Sequence, residues 1–197
     1  EVNLILVGVN HKTTPVEIRE KLAFTKGKIE ESVNHLFNFP DIIEHTILST
    51  CNRVEIYARA NSQDSAIKSI KQFICDFHQL SLVELEDHFY SYSNKEAVEH
   101  LFRVSSSLDS MILGEAQILG QVKEAYSLAR DLRSTGLVLN QLFEKAFSIA
   151  KKVREETGIA ERSVSISSAA VELAQKIFDD LENHTVMLVG TGEMAEL

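Results

Sequence analysis

Residues 45–60 read HTILSTCNRVEIYARA, and this stretch decides the fold. His45–Ser49 and Val54–Ala60 are two strand-like runs joined by the tight polar connection Thr50-Cys51-Asn52-Arg53. In the second run Val54, Ile56 and Ala58 alternate with Glu55, Tyr57 and Arg59, the period of two that marks a strand. Upstream, Leu4–Val9 is a short run rich in Ile and Val that gives way to a polar loop containing Pro15, which predicts a buried strand. After a short helical stretch near 17–24, Ile29, Val33, Leu36 and Phe37 recur at helical spacing until Pro40 stops the pattern. Downstream, Ile67, Ile70, Phe73, Ile74 and Phe77 form one stripe on a helix over about 64–79, and Phe89–Tyr92 offers a short aromatic strand. The resulting order, β-α-β-β-α-β, predicts an α+β domain of the split, ferredoxin-like kind, with helices on one face of a mostly antiparallel sheet.

Beyond this unit the chain turns helical. Ser93 followed by Glu96 has the form of a capping box, opening a helix that carries Ala97, Leu101, Val104 and Leu108. Ile118, Leu119, Val122, Ala125, Tyr126, Ala129 and Leu132 predict a further helix, broken at Ser134-Thr135-Gly136. Leu139, Leu142, Phe143, Ala146, Ile149, Ala150 and Val153 predict the next, ending near Gly158. A fifth runs from about Ser163 to Leu181 with Val164, Ala170, Leu173, Ala174, Ile177 and Leu181 turned inward, and its length suggests a stalk between two domains. Val186–Val189 then reads as a buried strand leading into Gly190-Thr191-Gly192-Glu193-Met194-Ala195. The expected organisation is a first domain over 1–160, a linker helix over 161–183 and the opening of a second domain over 184–197.

Composition narrows the function. At 197 residues, 44% hydrophobic and 25% charged, with 8 Gly and 2 Pro, the chain is a helix-rich globular protein and not a disordered, collagen-like or disulfide-stapled one. A net charge of −9 repels polyanions on average, so any nucleic-acid contact must be local. No apolar run approaches the roughly 18 residues of a membrane span, and the N-terminus lacks the basic region of a signal peptide; a cytoplasmic protein is expected. Cys51 and Cys75 then read as free thiols.

Three groups could carry chemistry. A strand running into G-x-G-x-x-A is the opening of a dinucleotide-binding fold, with Gly190 making the turn, Gly192 admitting a pyrophosphate and Ala195 allowing close packing; an ordinary strand-to-helix turn has the same form. Cys51 lies in a polar loop two residues from Arg53, whose guanidinium would favour the nucleophilic thiolate, whereas Cys75 lies among Phe73, Ile74 and Phe77 as core filler. The histidines, His11, His45 and His100 among them, lack metal-ligand spacing, so no metal site is expected. Glu115, Gln117 and Gln121 cluster near a helix start, and Lys151-Lys152 with Arg154 is the densest basic spot, most simply a solvated helix face.

Five stretches in order, Gly8–Val16 (GVNHKTTPV), Ser49–Tyr57 (STCNRVEIY), Ser106–Lys123 (SSLDSMILGEAQILGQVK), Val153–Ala170 (VREETGIAERSVSISSAA) and Val189–Ala195 (VGTGEMA), resemble the bacterial-type glutamyl-tRNA reductases. Thr14, Val54, Ser107 and Ala116 stand where that family commonly has Ala, Thr, Gly and Pro. The resemblance implies the first step of five-carbon tetrapyrrole (haem, porphyrin) biosynthesis, in which a thiol captures the glutamyl group of charged tRNA as a thioester and NADPH reduces it to glutamate-1-semialdehyde. It implies Cys51 as nucleophile and His100 as a histidine important for activity. Thr50, Asn52, Arg53, Ser110, Glu115, Ala116, Gln117 and Gln121 would contact the substrate, and Gly190, Thr191, Gly192, Glu193, Met194 and Ala195 would bind NADPH. It further implies glutamyl-tRNA as partner, a homodimer for full-length members and a downstream glutamate-1-semialdehyde aminomutase. Within the site we expect Arg53 to fork a substrate carboxylate and Glu115 to hold the α-ammonium. Family members are about twice as long, so the 197-residue chain is expected to capture the acyl group without reducing it. Two rivals stay open: a thiol-dependent acyltransferase or hydrolase without nucleotide, and a noncatalytic interaction domain.

Overall fold

A computed structural model describes residues 3–159 and 166–178, together with Thr185 and Met187. Strands β1 (Asn3–Asn10), β2 (Ile42–Ser49), β3 (Arg53–Ala60) and β4 (Tyr90–Ser93) form one sheet of order β2-β3-β1-β4, and every neighbouring pair is antiparallel. Helices α1 (Val16–Leu22) and α2 (Ile29–Leu36) lie between β1 and β2, and α3 (Gln63–Phe77) and the single turn α4 (Leu82–Leu85) between β3 and β4. Next along the chain come α5 (Lys95–Ser105), α6 (Gln117–Asp131), α7 (Leu137–Thr157) and α8 (Ile166–Phe178).

Helices cover both faces of the sheet, where the sequence pattern predicts one. Ile5, Val7 and Val9 of β1 join Val33, Leu36, Ile70, Phe73 and Ile74 in one core under α2 and α3. Leu4 and Leu6 point the other way, into a second core with Leu101, Val104, Val122 and Phe143 of α5, α6 and α7. The reason is in β1 itself, whose continuous apolar run would leave Leu4 and Leu6 in water were only one face covered. The alternate, polar side of β3 is therefore also interior: Arg53, Glu55 and Tyr57 are all buried.

Two local details shape the interior. Gly8 pairs with Glu55 across β1 and β3, and a Cβ at Gly8 would sit 2.7 Å from the Val54 carbonyl oxygen and 2.8 Å from Glu55 Cγ. The missing side chain thus makes room for a buried carboxylate. Glu44 reaches the start of α7 and accepts hydrogen bonds from the backbone N–H groups of Gly136 (3.0 Å), Val138 (3.3 Å) and Leu139 (2.8 Å), capping that helix through long-range contact.

Three expectations need correction. The Ser93–Glu96 capping box does not form: Asn94 is the N-cap of α5, its Oδ1 accepts from Leu4 N at 3.1 Å, and Ser93 Oγ instead accepts from Gln63 Nε2 at 2.5 Å. Leu108 falls beyond α5 and is partly exposed. In α8 the stripe expected to face inward is open, with Leu173 and Ile177 exposed, because no element among the described residues covers it. Both ends of the expected 161–183 linker, the strand Val186–Val189 apart from Met187 and the turn Gly190–Ala195 lie outside the described residues; Met187 is exposed at 83%. No helix among the described residues is long and apolar enough to cross a membrane.

Candidate active site

The β2–β3 connection is a tight turn built by a threonine. Thr50 N donates to Arg53 O at 2.9 Å, and Thr50 Oγ1 accepts from the backbone N–H groups of Asn52 and Arg53, both at 3.1 Å. Cys51 sits exposed at the corner of this turn. Arg19 pins it from α1, donating from Nη1 to Cys51 O (2.7 Å) and Asn52 Oδ1 (3.2 Å), while His11 N donates to Asn52 O at 3.0 Å. Neither Arg19 nor His11 is marked by sequence spacing, because the contacts join α1 and the β1 loop to a turn more than thirty residues away.

Opposite the turn stands the segment from α5 to α6. Ser107 adopts a φ of +60°, the left-handed conformation that suits the glycine common in the resembled family; its Oγ donates to Glu115 O at 2.5 Å and fixes the loop. Arg154 of α7 donates to the same carbonyl at 2.9 Å, so this member of the basic spot is structural. Lys151 and Lys152 pair with Glu155 (3.6 Å) and Glu156 (3.8 Å) on an exposed helix face. One small pocket results, lined by Thr50, Cys51, Asn52 and Arg53 on one side and by Ser110, Glu115, Gln117, Ile118 and Gln121 on the other. Ser110 Oγ is buried there with no hydrogen-bond partner among the described residues. Ala116 lines an adjoining groove, which shares Gln117 and Gln121 with the pocket.

His100 is elsewhere. It lines a separate cleft with Lys12, Tyr90, Tyr92 and Asp109, and its link to the Cys51 turn runs through the interior. His100 Nε2 bonds Glu55 Oε1 (2.7 Å), and Arg53 Nη1 donates to the same oxygen (2.8 Å). Tyr57 and Tyr90 hydroxyls also donate to Glu55, both at 2.6 Å. Arg53 Nη2 turns to Asp109, reaching its carbonyl at 2.5 Å and Oδ2 at 3.2 Å, and Lys12 Nζ donates to Asp109 Oδ1 at 2.5 Å. The guanidinium is 1% exposed and engaged by two internal acids, which corrects the expectation that its fork is open to a substrate carboxylate. Glu55, which no sequence motif singles out, is the hub. Burial alone would push its carboxyl up, but the Arg53 guanidinium and His100 prevail and hold it well below the usual carboxylate range.

Arg53 is equally absent from the electrostatics of Cys51. Although the residue as a whole is exposed, partial burial of its sulfur pushes the thiol pKa up, the Glu115 carboxylate adds to that, and the cation that works against them is Arg19. Cys75 is fully buried in α3, where burial first and Asp76 and Glu86 next push its thiol to about 11. Iodoacetamide near neutral pH is therefore expected to alkylate Cys51 well before Cys75, read by peptide mapping over time; equal rates, or Cys75 first, would remove the accessible-thiol basis of the site. Among the described residues no three His, Cys, Asp or Glu side chains gather as a metal site, and Gly190–Ala195, expected to hold NADPH, lie outside them.

Residues 7–157 match the family described as glutamyl-tRNAGlu reductase, N-terminal domain. The chain is 53% identical over 196 residues to the glutamyl-tRNA reductase of Geotalea uraniireducens and 50% identical to that of Geobacter sulfurreducens; each alignment covers 100% of this chain and 45% of the relative. The solved glutamyl-tRNA reductase from Methanopyrus kandleri superposes with a TM-score of 0.71 at 39% identity, covering 98% of this chain and 44% of that one. The chain thus spans less than half the length of these relatives, and over that span, with its Cys51 turn and facing Ser110–Gln121 wall, it belongs to the glutamyl-tRNA reductase N-terminal domain family.

Proposed function

We propose that this chain performs the acyl-capture half of glutamyl-tRNA reduction, with Cys51 as nucleophile. One observation carries the reading: an exposed cysteine at the corner of a braced turn shares a small pocket with Glu115, Ser110 and two glutamines that sequence resemblance alone groups as substrate contacts. The chemistry suits the donor. An aminoacyl ester is already activated, so the Cys51 sulfur can attack its carbonyl carbon, the C–S bond forming as the C–O bond to the ribose breaks. The proton lost by the thiol balances the one gained by the departing ribose oxygen.

Glu115 has two consequences for this step. Its carboxylate opposes formation of the thiolate. An α-ammonium bound against it cancels that charge, so the contact that holds the substrate also releases the nucleophile. Ser110 Oγ, with its unused donor, receives the side-chain carboxylate of the glutamyl group, a role the engaged Arg53 leaves open. Thr50 acts through the turn, its hydroxyl being occupied by two backbone N–H groups. His100 acts through Glu55 and Arg53 as a positioning residue. NADPH, when bound, would supply the hydride that converts the acyl group to glutamate-1-semialdehyde; the resemblance assigns its binding to Gly190–Ala195, which lie outside the described residues.

The test is to incubate the chain with tRNA carrying labelled glutamate and map the label by peptide. Acyl capture requires label on Cys51 and a marked preference for the charged tRNA. Equal labelling by simple glutamate esters would point to a general thiol acyltransferase or hydrolase, and absence of label from a folded sample to a noncatalytic domain.

A further inference from the structure

Resting on the acyl-capture reading, we propose that the C-terminal end of α7 positions one wall of the Cys51 pocket, with Arg154 as the residue that sets where the Glu115 carboxylate stands. In that reading Glu115 meets the α-ammonium beside the Cys51 sulfur, yet no hydrogen bond or ion pair among the described residues holds its carboxylate. Its place is therefore set by its backbone.

That backbone is held from two sides. The Glu115 carbonyl oxygen accepts from Ser107 Oγ at 2.5 Å and from Arg154 Nη2 at 2.9 Å. Gly114 N donates to Ser107 O at 3.1 Å, so the loop that carries Ser110 leaves and returns at one point. Gly114 itself has a φ of +84°, and a Cβ there would collide with the carbonyl oxygen of Ile159, just past α7. Gly114 and Glu115 thus both rest on the end of a 21-residue helix whose start is capped by Glu44 and whose Leu139, Leu142, Phe143 and Ala146 belong to the second core. A side chain braced against such a helix is held more closely than one left to its own loop.

Arg154 differs from its basic neighbours. Lys151 and Lys152 pair along the exposed face of α7, whereas Arg154 turns to the loop with its Nε buried and without a partner among the described residues. Withdrawing part of a guanidinium from water for one bond to a carbonyl costs stability that an apolar side chain would not. What the bond achieves is to locate Glu115. The charges that act on the Cys51 thiol are Glu115 and Arg19, and Arg154 is not among them, so its influence on the sulfur must pass through Glu115.

The experiment measures two rates, alkylation of Cys51 by iodoacetamide near neutral pH and capture of labelled glutamate from tRNA, in Arg154→Met, Glu115→Gln and the double variant. Arg154→Met should let the carboxylate drift from the sulfur, so that alkylation quickens several-fold while capture slows by about tenfold or more, the usual loss when a charge-assisted contact is displaced. On the Glu115→Gln background Arg154→Met should change alkylation by less than about twofold, because the charge it would displace is already gone. Arg154→Lys should keep both rates within about threefold of wild type, since a single bond to a carbonyl needs no fork. A residue that served only the fold would lower the melting temperature without this dependence on Glu115. Should Arg154→Met not fold, Gly114→Ala disturbs the same wall from the Ile159 side and should produce the same pair of changes, with the alkylation effect again lost on the Glu115→Gln background. Unchanged or slower alkylation in a folded variant, or an acceleration that adds in full to that of Glu115→Gln, would overturn the proposal and leave acyl capture standing. No label on wild-type Cys51 would overturn acyl capture, and this inference with it.

Discussion

Cys51→Ala is expected to abolish transfer of labelled glutamate from tRNA to the protein, with the melting temperature within a degree or so of wild type, since the side chain lies exposed on a turn held by Thr50, Arg19 and His11 rather than by its own sulfur. The informative companion is Glu115→Gln, for which two readouts should move in opposite directions. Removing the carboxylate takes away an influence that pushes the Cys51 thiol up, so alkylation by iodoacetamide near neutral pH should quicken several-fold. Capture from glutamyl-tRNA should slow, because the α-ammonium loses its partner and the neutral amide cannot replace it. A Glu115→Gln variant that alkylates faster and also captures faster would show that the carboxylate restrains the thiol without recognising the substrate. If both reactions slow, Glu115 acts by shaping the loop alone.

The Cys51 turn and its strands are legible in residues 45–60 because their signals are local: a period of two, a four-residue polar connection, and a threonine whose hydroxyl can satisfy the N–H groups two and three residues on. The end of α7 is legible for the same reason, Gly158 taking the left-handed φ of 63° that closes a helix. Which side of β3 meets water is not legible. Glu55, Tyr57 and Arg59 in alternation with Val54, Ile56 and Ala58 look like a half-solvated strand, and only helices α5, α6 and α7, which begin at Lys95 and end at Thr157, turn Glu55 and Tyr57 into interior groups. The pairing of Arg53 with the thiol fails on the same point. Nearness in sequence suggests a guanidinium beside the sulfur, but Cys51 is on the turn and Arg53 already begins β3, directed inward to Glu55 and Asp109. The cation that does act on the thiol, Arg19, comes from α1, and no spacing rule connects it to Cys51.

Glu55→Gln is expected to destabilise the folded chain by about 3–5 kcal/mol, the usual cost of removing one partner from a buried ion pair. For a domain of this size that corresponds to a fall of roughly 10 °C or more in melting temperature. Burial is complete, Arg53 would keep its charge, and the hydroxyls of Tyr57 and Tyr90 together with His100 would all face an amide that cannot accept from each of them. The direction of the shift sets the pH dependence. A carboxyl held below its ordinary value in the folded state contributes stability that is fully present above the unfolded value of about 4.3 and is lost as pH falls through the lower folded value. The stability gap between wild type and Glu55→Gln, read from urea unfolding, should therefore be constant from about pH 8 to 5 and close on acidification below about 4. Parallel pH profiles would show that Glu55 contributes no charge-dependent stability. His100→Asn separates the two roles open to that histidine. Acting through Glu55 and Arg53, it should lower stability and acyl capture together and leave the pH profile of capture unchanged, because His100 lies in a different cleft from Cys51. Loss of a titrating limb from that profile with stability intact would instead place a proton on His100 at the reacting ester.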